Sequence, residues 1–528
     1  MMDLMMRKRI GFEALAVWLC FFSYFLLGSA NVVFNVKHKF EARERRSLAA
    51  LKAHDDRRHG RSLAAVDLPL GGNGSPTDTA LYYTEIGLGT PPKDYYLQVD
   101  TGSDIMWVNC AGCENCPKKS DLGVELRLYD LKGSTTGKLL TCDQDFCIET
   151  FNPTGCKVGA ICPYQVTYGD GSSSLGYFVS DNIQLNRASG NLQTTPMNGS
   201  VAFGCGAKQS GQLGTSAQAL DGILGFGQAN SSMISQIASA GKVKKMFAHC
   251  LDGTNGGGIF AIGQLVQPKL NSTPMVPNQF DLSFRILSKF QFCHYLRAHY
   301  NVILKTVKVG RDLLQISTDV LDSDAGTSMV IDSGTTLAYL ADELYNPLIT
   351  KVMASQPNLK LHTVEQQFTC FQFIENVDDG FPAVTFGFEN SLSLTIYPHE
   401  YLFQIRVREG IVLGYGEIGA EIKNVVGLLA VNNDVWCVGW QNSGMSKDGK
   451  EMNLLGDMVL SSKLVLYDLE NQTIGWTEYN CSSSVKVKDE QSGAEYLIGP
   501  HDLSSFCSRN TGWSVTLFFL LAMLHNYM

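Results

Sequence analysis

The chain has 528 residues, 45% hydrophobic and 18% charged, with 51 glycines, 15 cysteines and a net charge of −9. That composition excludes a disordered tail, a coiled coil and a polybasic nucleic-acid binder. Its length supports two or more cores, and abundant glycine with 10% aromatic residues favours β structure.

Lys8 and Arg9 precede an apolar run, Ala14 to Leu27, that closes on Gly28-Ser29-Ala30. A basic start, a short apolar stretch and small residues at its end read as a cleaved secretory signal over 1–30; the run is short for a membrane span of ~20 residues. From Asn31 to Leu63 nine Lys/Arg stand against four Asp/Glu, a net +5. Ahead of an acidic body, this reads as a removable pro-segment, 31–75, suited to lie over an acidic cleft. A solvated arm is the alternative.

Setting aside Cys20 in the signal, Cys507 near the tail and Cys293, taken up below, twelve disulfide candidates remain: Cys110, Cys113, Cys116, Cys142, Cys147, Cys156, Cys162, Cys205, Cys250, Cys370, Cys437 and Cys481. The run Cys110-x-x-Cys113-x-x-Cys116 superficially matches an iron–sulfur or zinc site, but an oxidising compartment favours disulfides, whose pairing spacing alone leaves open. Asn73, Asn198, Asn230, Asn271, Asn471 and Asn480 each begin an N-x-Ser/Thr sequon, candidates for glycosylation.

The strand-like Tyr95-Tyr96-Leu97-Gln98-Val99 leads into Asp100-Thr101-Gly102-Ser103, and Ser328-Met329-Val330-Ile331 leads into Asp332-Ser333-Gly334-Thr335. A second echo follows each: Asp221-Gly222-Ile223-Leu224-Gly225 and Asn453-Leu454-Leu455-Gly456-Asp457. This is duplication at domain scale. Two aspartates held a few ångströms apart cannot both ionise, so they share a proton. One can then act as base on a water while the other polarises a carbonyl, with no metal or cofactor. Glycine two residues on allows close approach, and the hydroxyls of Ser103 and Thr335 are placed to donate to the carboxylates. Between the copies, Gln165-Val166-Thr167-Tyr168, a Gly169-Asp170-Gly171 turn and Gly176-Tyr177-Phe178-Val179 read as a glycine-rich hairpin able to cover a site. Residues 482–512 read as a polar linker. An apolar tail follows within 513–528, too short to span a bilayer and similar to a GPI-attachment signal, although Phe506 and Cys507 are poor followers of Ser504 and Ser505.

Together with Trp107 and Tyr168, these motifs resemble the pepsin-like aspartic endopeptidases, in particular the plant, disulfide-rich, nepenthesin-like and GPI-anchored type. The resemblance covers about Leu81 to Cys481. It implies an all-β, bilobal fold with an N-terminal lobe over 76–275, a C-terminal lobe over 276–481 and a peptide cleft between them. It further implies Asp100 and Asp332 as the catalytic dyad, supported by Thr101, Gly102, Ser103, Ser333, Gly334 and Thr335. Tyr168 and Gly169 would lie on a flap over the substrate, and Trp107 would partner that tyrosine. The implied protein is a monomeric glycoprotein of the secretory pathway, held at the extracellular face or cell wall, that cleaves peptides at acidic pH. A non-catalytic binding or inhibitor-like protein on the same scaffold is the rival.

Two stretches depart from the family pattern: Phe280–Ala298, with the extra Cys293, and Val407–Asn432. Their apolar composition is foreign to surface loops, and we read them as intron-derived or as gene-structure errors. Cys370 and Cys437 would pair across the second. Within it, Gly414-x-Gly416-x-x-Gly419 matches a dinucleotide fingerprint, but no repeated βα pattern surrounds it.

Overall fold

A computed structural model describes residues 63–150, 156–276, 299–316, 327–364, 367–405, 407–408, 411–412, 435–444 and 452–503. The fold is all-β, and its organising feature is a repeated parallel strand pair. In Lys93–Asp100, Tyr95, Leu97 and Val99 are buried while Tyr96 and Gln98 are half-buried, the alternation of a strand with one covered face. This strand runs parallel to Gly222–Gly225, with Asp100 opposite Gly225. In the second half Thr327–Ile331 runs parallel to Leu454–Leu455, with Ile331 opposite Leu455. The paired echoes in the sequence are therefore neighbours in space, once in each half of the chain.

One sheet joins the halves. Met246–Leu251, buried throughout, pairs with Gly258–Ile262 on one side and with Lys463–Asp468 on the other, Phe247 facing Tyr467. Aromatic rings fill the seam: Phe247 stacks on Tyr467 at 4.4 Å, and Tyr300 meets Tyr467 edge-on at 4.6 Å. Such contacts contribute about 0.5–1.5 kcal/mol each beyond burial. The expected lobe boundary thus needs correction, because Lys463–Asp468 and Thr473–Glu478 complete a sheet shared with the first half and are not confined to a second lobe.

Two further boundaries are corrected. The expected pro-segment 31–75 reaches too far: Val66–Asn73 lies between Gly258–Ile262 and Leu81–Leu88, with Val66, Leu68 and Leu70 fully buried. The folded body begins by Leu63. The expected linker 482–512 contains Val485–Lys488 and Glu495–Ile498, an antiparallel pair that adds to Gln264–Gln267. Lys486 and Lys488 are half-buried and Glu495 is exposed while Val485, Val487 and Ile498 are buried, and Arg187 closes on the buried Asp489 at 2.8 Å. Residues 504–528, the signal and most of both atypical stretches lie outside the described residues. Of the second stretch, only the backbone pairing of Val407–Arg408 with Ile411–Val412 is described.

All twelve cysteine candidates pair: Cys110–Cys205, Cys113–Cys116, Cys142–Cys156, Cys147–Cys162, Cys250–Cys481 and Cys370–Cys437. The Cys-x-x-Cys-x-x-Cys run is spent on two separate bridges, and among the described residues no cluster could hold a metal ion.

Candidate active site

Asp100 and Asp332 each leave their strand with the backbone pinned to the parallel neighbour: Phe226 N donates to Asp100 O at 2.7 Å, and Asp332 N donates to Leu455 O at 3.0 Å. The chain then turns so that the amide two residues on meets the side chain. Gly102 N donates to Asp100 Oδ1 at 2.8 Å, and Gly334 N to Asp332 Oδ1 at 2.7 Å. The hydroxyl three residues on completes each set, Ser103 Oγ to Asp100 Oδ2 and Thr335 Oγ1 to Asp332 Oδ2, the latter at 2.8 Å. Both aspartates are 6% exposed, so each carboxyl is held by its own loop while keeping a narrow opening to solvent.

The two loops interlock through their glycines. A Cβ on Gly102 would stand 2.6 Å from the Asp332 carboxyl carbon, and one on Gly334 would stand 2.6 Å from that of Asp100. No side chain fits there, and the space goes to the opposite carboxylate. Sequence reasoning assigned these glycines to approach of their own aspartate; the structure adds that each makes room for the other's. Thr101 Oγ1 accepts from Ser333 N at 2.8 Å, tying the loops together. Ser333 contributes that amide, whereas its buried hydroxyl has no hydrogen-bond partner among the described residues. Gln98 Nε2 donates to Gly334 O at 3.2 Å, a second tie, from the strand Lys93–Asp100 to the other loop.

The hairpin expected as a flap is present: Pro163–Thr167 pairs with Ser173–Gly190, Thr167 opposite Ser173. Its tip is closed by Gly171 N donating to Tyr168 O, and by Ser172 N and Oγ donating to Asp170 Oδ1. Gly171 has φ +83° and takes the left-handed position, while Gly169 is exposed at the tip. Trp107 Nε1 donates to the Tyr168 hydroxyl at 2.7 Å, bridging the flap to the buried first half of the strand Trp107–Glu114. Cys147–Cys162 anchors the base of the hairpin. Tyr168→Phe leaves the Trp107 N–H without its partner, and about a tenfold fall in kcat/KM is expected, as for one such bond; steady-state kinetics on a peptide measures it.

Sequence reasoning missed Asp457. It is 1% exposed, its amide donates to Thr335 O at 2.7 Å, and its Oδ1 has no hydrogen-bond partner among the described residues. Burial, then the charges of Asp332 and Asp100, hold its carboxyl well above the ordinary range. A carboxylate placed between Leu454-Leu455-Gly456 and Met458-Val459-Leu460 was the available signal.

Asp221, in the first echo, accepts from Tyr96 N at 2.9 Å and Arg127 N at 2.6 Å, and burial pushes it up to about 6. A carboxyl raised in the fold stabilises below its unfolded value near 3.8, and that contribution is lost as pH rises through 6. Asp221→Asn therefore flattens this part of the profile, removing roughly 2 kcal/mol of the stability difference between pH 4 and pH 7. Unfolding of both proteins at the two pH values measures the change. Of the sequon asparagines, Asn198, Asn230, Asn271, Asn471 and Asn480 are exposed, whereas Asn73 is half-buried and donates to Asp78 Oδ2 at 2.6 Å.

Two interlocked Asp-x-Gly loops and a glycine-turned hairpin on an all-β scaffold define a pepsin-like aspartic protease. Two family models match, described as xylanase inhibitor N-terminal over residues 82–264 and xylanase inhibitor C-terminal over 299–478. Aspartic proteinase 36 of Arabidopsis thaliana is 48% identical over 93% of this chain and 93% of its own; aspartic proteinase 39 of the same plant is 45% identical over 90% of each. Among solved structures, that titled edgp aligns with a TM-score of 0.57 at 19% identity, covering 80% of this chain and 96% of that one. Basic 7S globulin from soybean aligns at 0.55 and 18%, covering 79% and 96%. The chain belongs to the plant pepsin-like aspartic protease family and is an aspartic endopeptidase.

Proposed function

We propose that the protein is secreted and hydrolyses internal peptide bonds at acidic pH, using a water held between Asp100 and Asp332. The reciprocal packing of each aspartate against the opposite glycine carries this reading. Carboxyls brought this close retain one proton between them. The ionised member takes a proton from water as its oxygen bonds to the carbonyl carbon, and the protonated member gives its proton to the carbonyl oxygen. Collapse of the tetrahedral adduct returns a proton to the departing amine. Asp457 and Asp221, both raised by burial, add groups that favour the fold at acid pH. Tyr168 would close over the bound peptide.

The signal at 1–30, a pro-segment ending before Leu63, exposed sequons and the C-terminal tail support a glycosylated zymogen, GPI-anchored at the extracellular face or wall and acting as a monomer. The matching family descriptions name xylanase inhibitors and so favour a second reading, a binding protein on the same scaffold. The complete donor sets on both carboxylates favour hydrolysis over that rival. Incubation of the purified protein with an unfolded polypeptide between pH 3 and pH 7, with new termini mapped by mass spectrometry, separates the two. Internal cleavage strongest at acid pH supports the protease, and intact substrate throughout supports the binder. Phospholipase release from membranes and glycosidase treatment test the anchor and the sugars.

A further inference from the structure

The strand Ser173–Gly190 starts in the flap and runs on into a longer hairpin with Gln193–Ser210, Asp181 opposite Val201 and Ala188 opposite Thr194. From Gly204 onward the outer side of Gln193–Ser210 is covered by Trp107–Glu114. Among the described residues no strand pairs with that side from Thr194 to Ser200. Thr194, Thr195, Pro196, Asn198 and Ser200 are exposed.

The neighbouring hydrogen bonds show which backbone groups this edge presents. Ala202 N donates to Gln236 Oε1 at 2.8 Å, Ala202 O accepts from Gln236 Nε2 at 2.9 Å, and Gly204 N donates to Met106 O at 2.9 Å. Ala202 and Gly204 therefore turn their backbone groups away from Ser173–Gly190, and in an antiparallel pair every second residue does the same. Back along the strand the outward positions are Ser200, Asn198, Pro196 and Thr194. Gln236 closes the edge at Ala202. Pro196 has no N–H and interrupts it on the other side. The outward amides left between these two stops belong to Asn198 and Ser200, the first and last residues of the sequon Asn198-Gly199-Ser200. Asn198 Oδ1 accepts from Gln184 Nε2 at 3.5 Å, and its Nδ2, the atom to which a sugar is joined, has no hydrogen-bond partner among the described residues.

Open N–H and C=O groups leading into Val201-Ala202-Phe203 are a template for a strand from a second copy of the chain. Proteins blunt such edges with charge, proline or a covering group. Residues 193–200 carry no charged side chain, so proline and the sequon are the devices present. We propose that an N-linked glycan on Asn198 shields the open part of this sheet edge and keeps the protein monomeric. This rests on the secreted, glycosylated reading above. The sugar is joined to an exposed side chain of the edge strand itself, so its bulk stands where an incoming strand has to dock.

The test uses the full chain secreted from a glycosylating eukaryotic host. Peptide mapping after enzymatic deglycosylation in ¹⁸O water is expected to show Asn198 as labelled Asp, the mark of an occupied site. Ser200→Ala removes the sequon at the cost of one exposed hydroxyl. Sedimentation over a range of concentrations is expected to show this variant self-associating about tenfold more tightly than the parent, with amide exchange slowed over residues 196–202 in the associated form. Asn198→Gln behaves alike. Asn198→Lys, which also lacks the glycan but places a charge on the edge, stays monomeric. Asn271→Gln removes an exposed sequon off this edge and associates no more than the parent. An unmodified Asn198 beside other occupied sequons, a monomeric Ser200→Ala protein, association through another surface, or equal association in Asn271→Gln overturns the proposal. A chain with no occupied sequon would instead remove the glycosylated reading, and with it the role given to Asn198.

Discussion

Asp100→Asn and Asp332→Asn are each expected to lower peptide hydrolysis by about 10³-fold while leaving the protein folded. The size follows from the work removed: a positioned acid or base contributes roughly 10²–10⁴-fold, and an amide can neither take the water's proton nor hold the shared one. The fold survives because Asn keeps an oxygen where Gly102 N or Gly334 N donates, at 2.8 and 2.7 Å in the parent. It also removes one of two crowded acids from a site where each is 6% exposed. An unfolding temperature equal to or above the parent's, together with the lost rate, separates a chemical defect from a structural one. Both variants should fall alike, since each loop supplies half of one acid–base pair. A drop confined to one of them would mean that the second carboxylate only supports the first.

Cys481→Ser is expected to be the most damaging single change to stability. Cys250–Cys481 closes a loop of 231 residues, joining Met246–Leu251 to the end of the chain's last shared strand pair. A loop that long is worth about 5 kcal/mol of chain entropy, comparable with the whole stability of many domains. Both sulfurs are buried, with Cys250 at 0% and Cys481 at 4% exposure, so the lost bond also leaves a thiol and a hydroxyl in an apolar cluster. Cys113→Ser closes only a three-residue separation and should cost far less. Denaturant unfolding of the two variants side by side measures the contrast, and equal losses would show that the long loop is held by other means.

What could be read from the sequence was whatever chemistry forces into consecutive residues. The Asp-x-Gly-Ser/Thr loops and the hairpin with Tyr168 are local patterns, and each forms in the structure; the bond between Trp107 and Tyr168, 61 residues apart, was an implication of the family resemblance. The reach of 31–75 and 482–512 was misread for one shared reason. Charge and polarity dominated the reading, although Val66, Leu68 and Leu70 recur at every second residue and later Val485 and Val487 alternate with lysines, as strands do. Apart from Cys370–Cys437, which was expected, disulfide pairing was illegible, because cysteines 95 or 231 residues apart meet only through sheet topology. Asp457 was visible as a carboxylate in an apolar run, but its nearness to the dyad depends on the parallel pairing of Leu455 with Ile331.

The most direct measurement is kcat/KM against pH, from about 2.5 to 8, for a quenched peptide cleaved by the parent and by both Asn variants. The account predicts a bell with its maximum on the acid side for the parent, because only the singly protonated pair is competent, and a residual rate near background at every pH for both variants. Substantial hydrolysis by either variant, or a parental rate still climbing through neutrality, would contradict it.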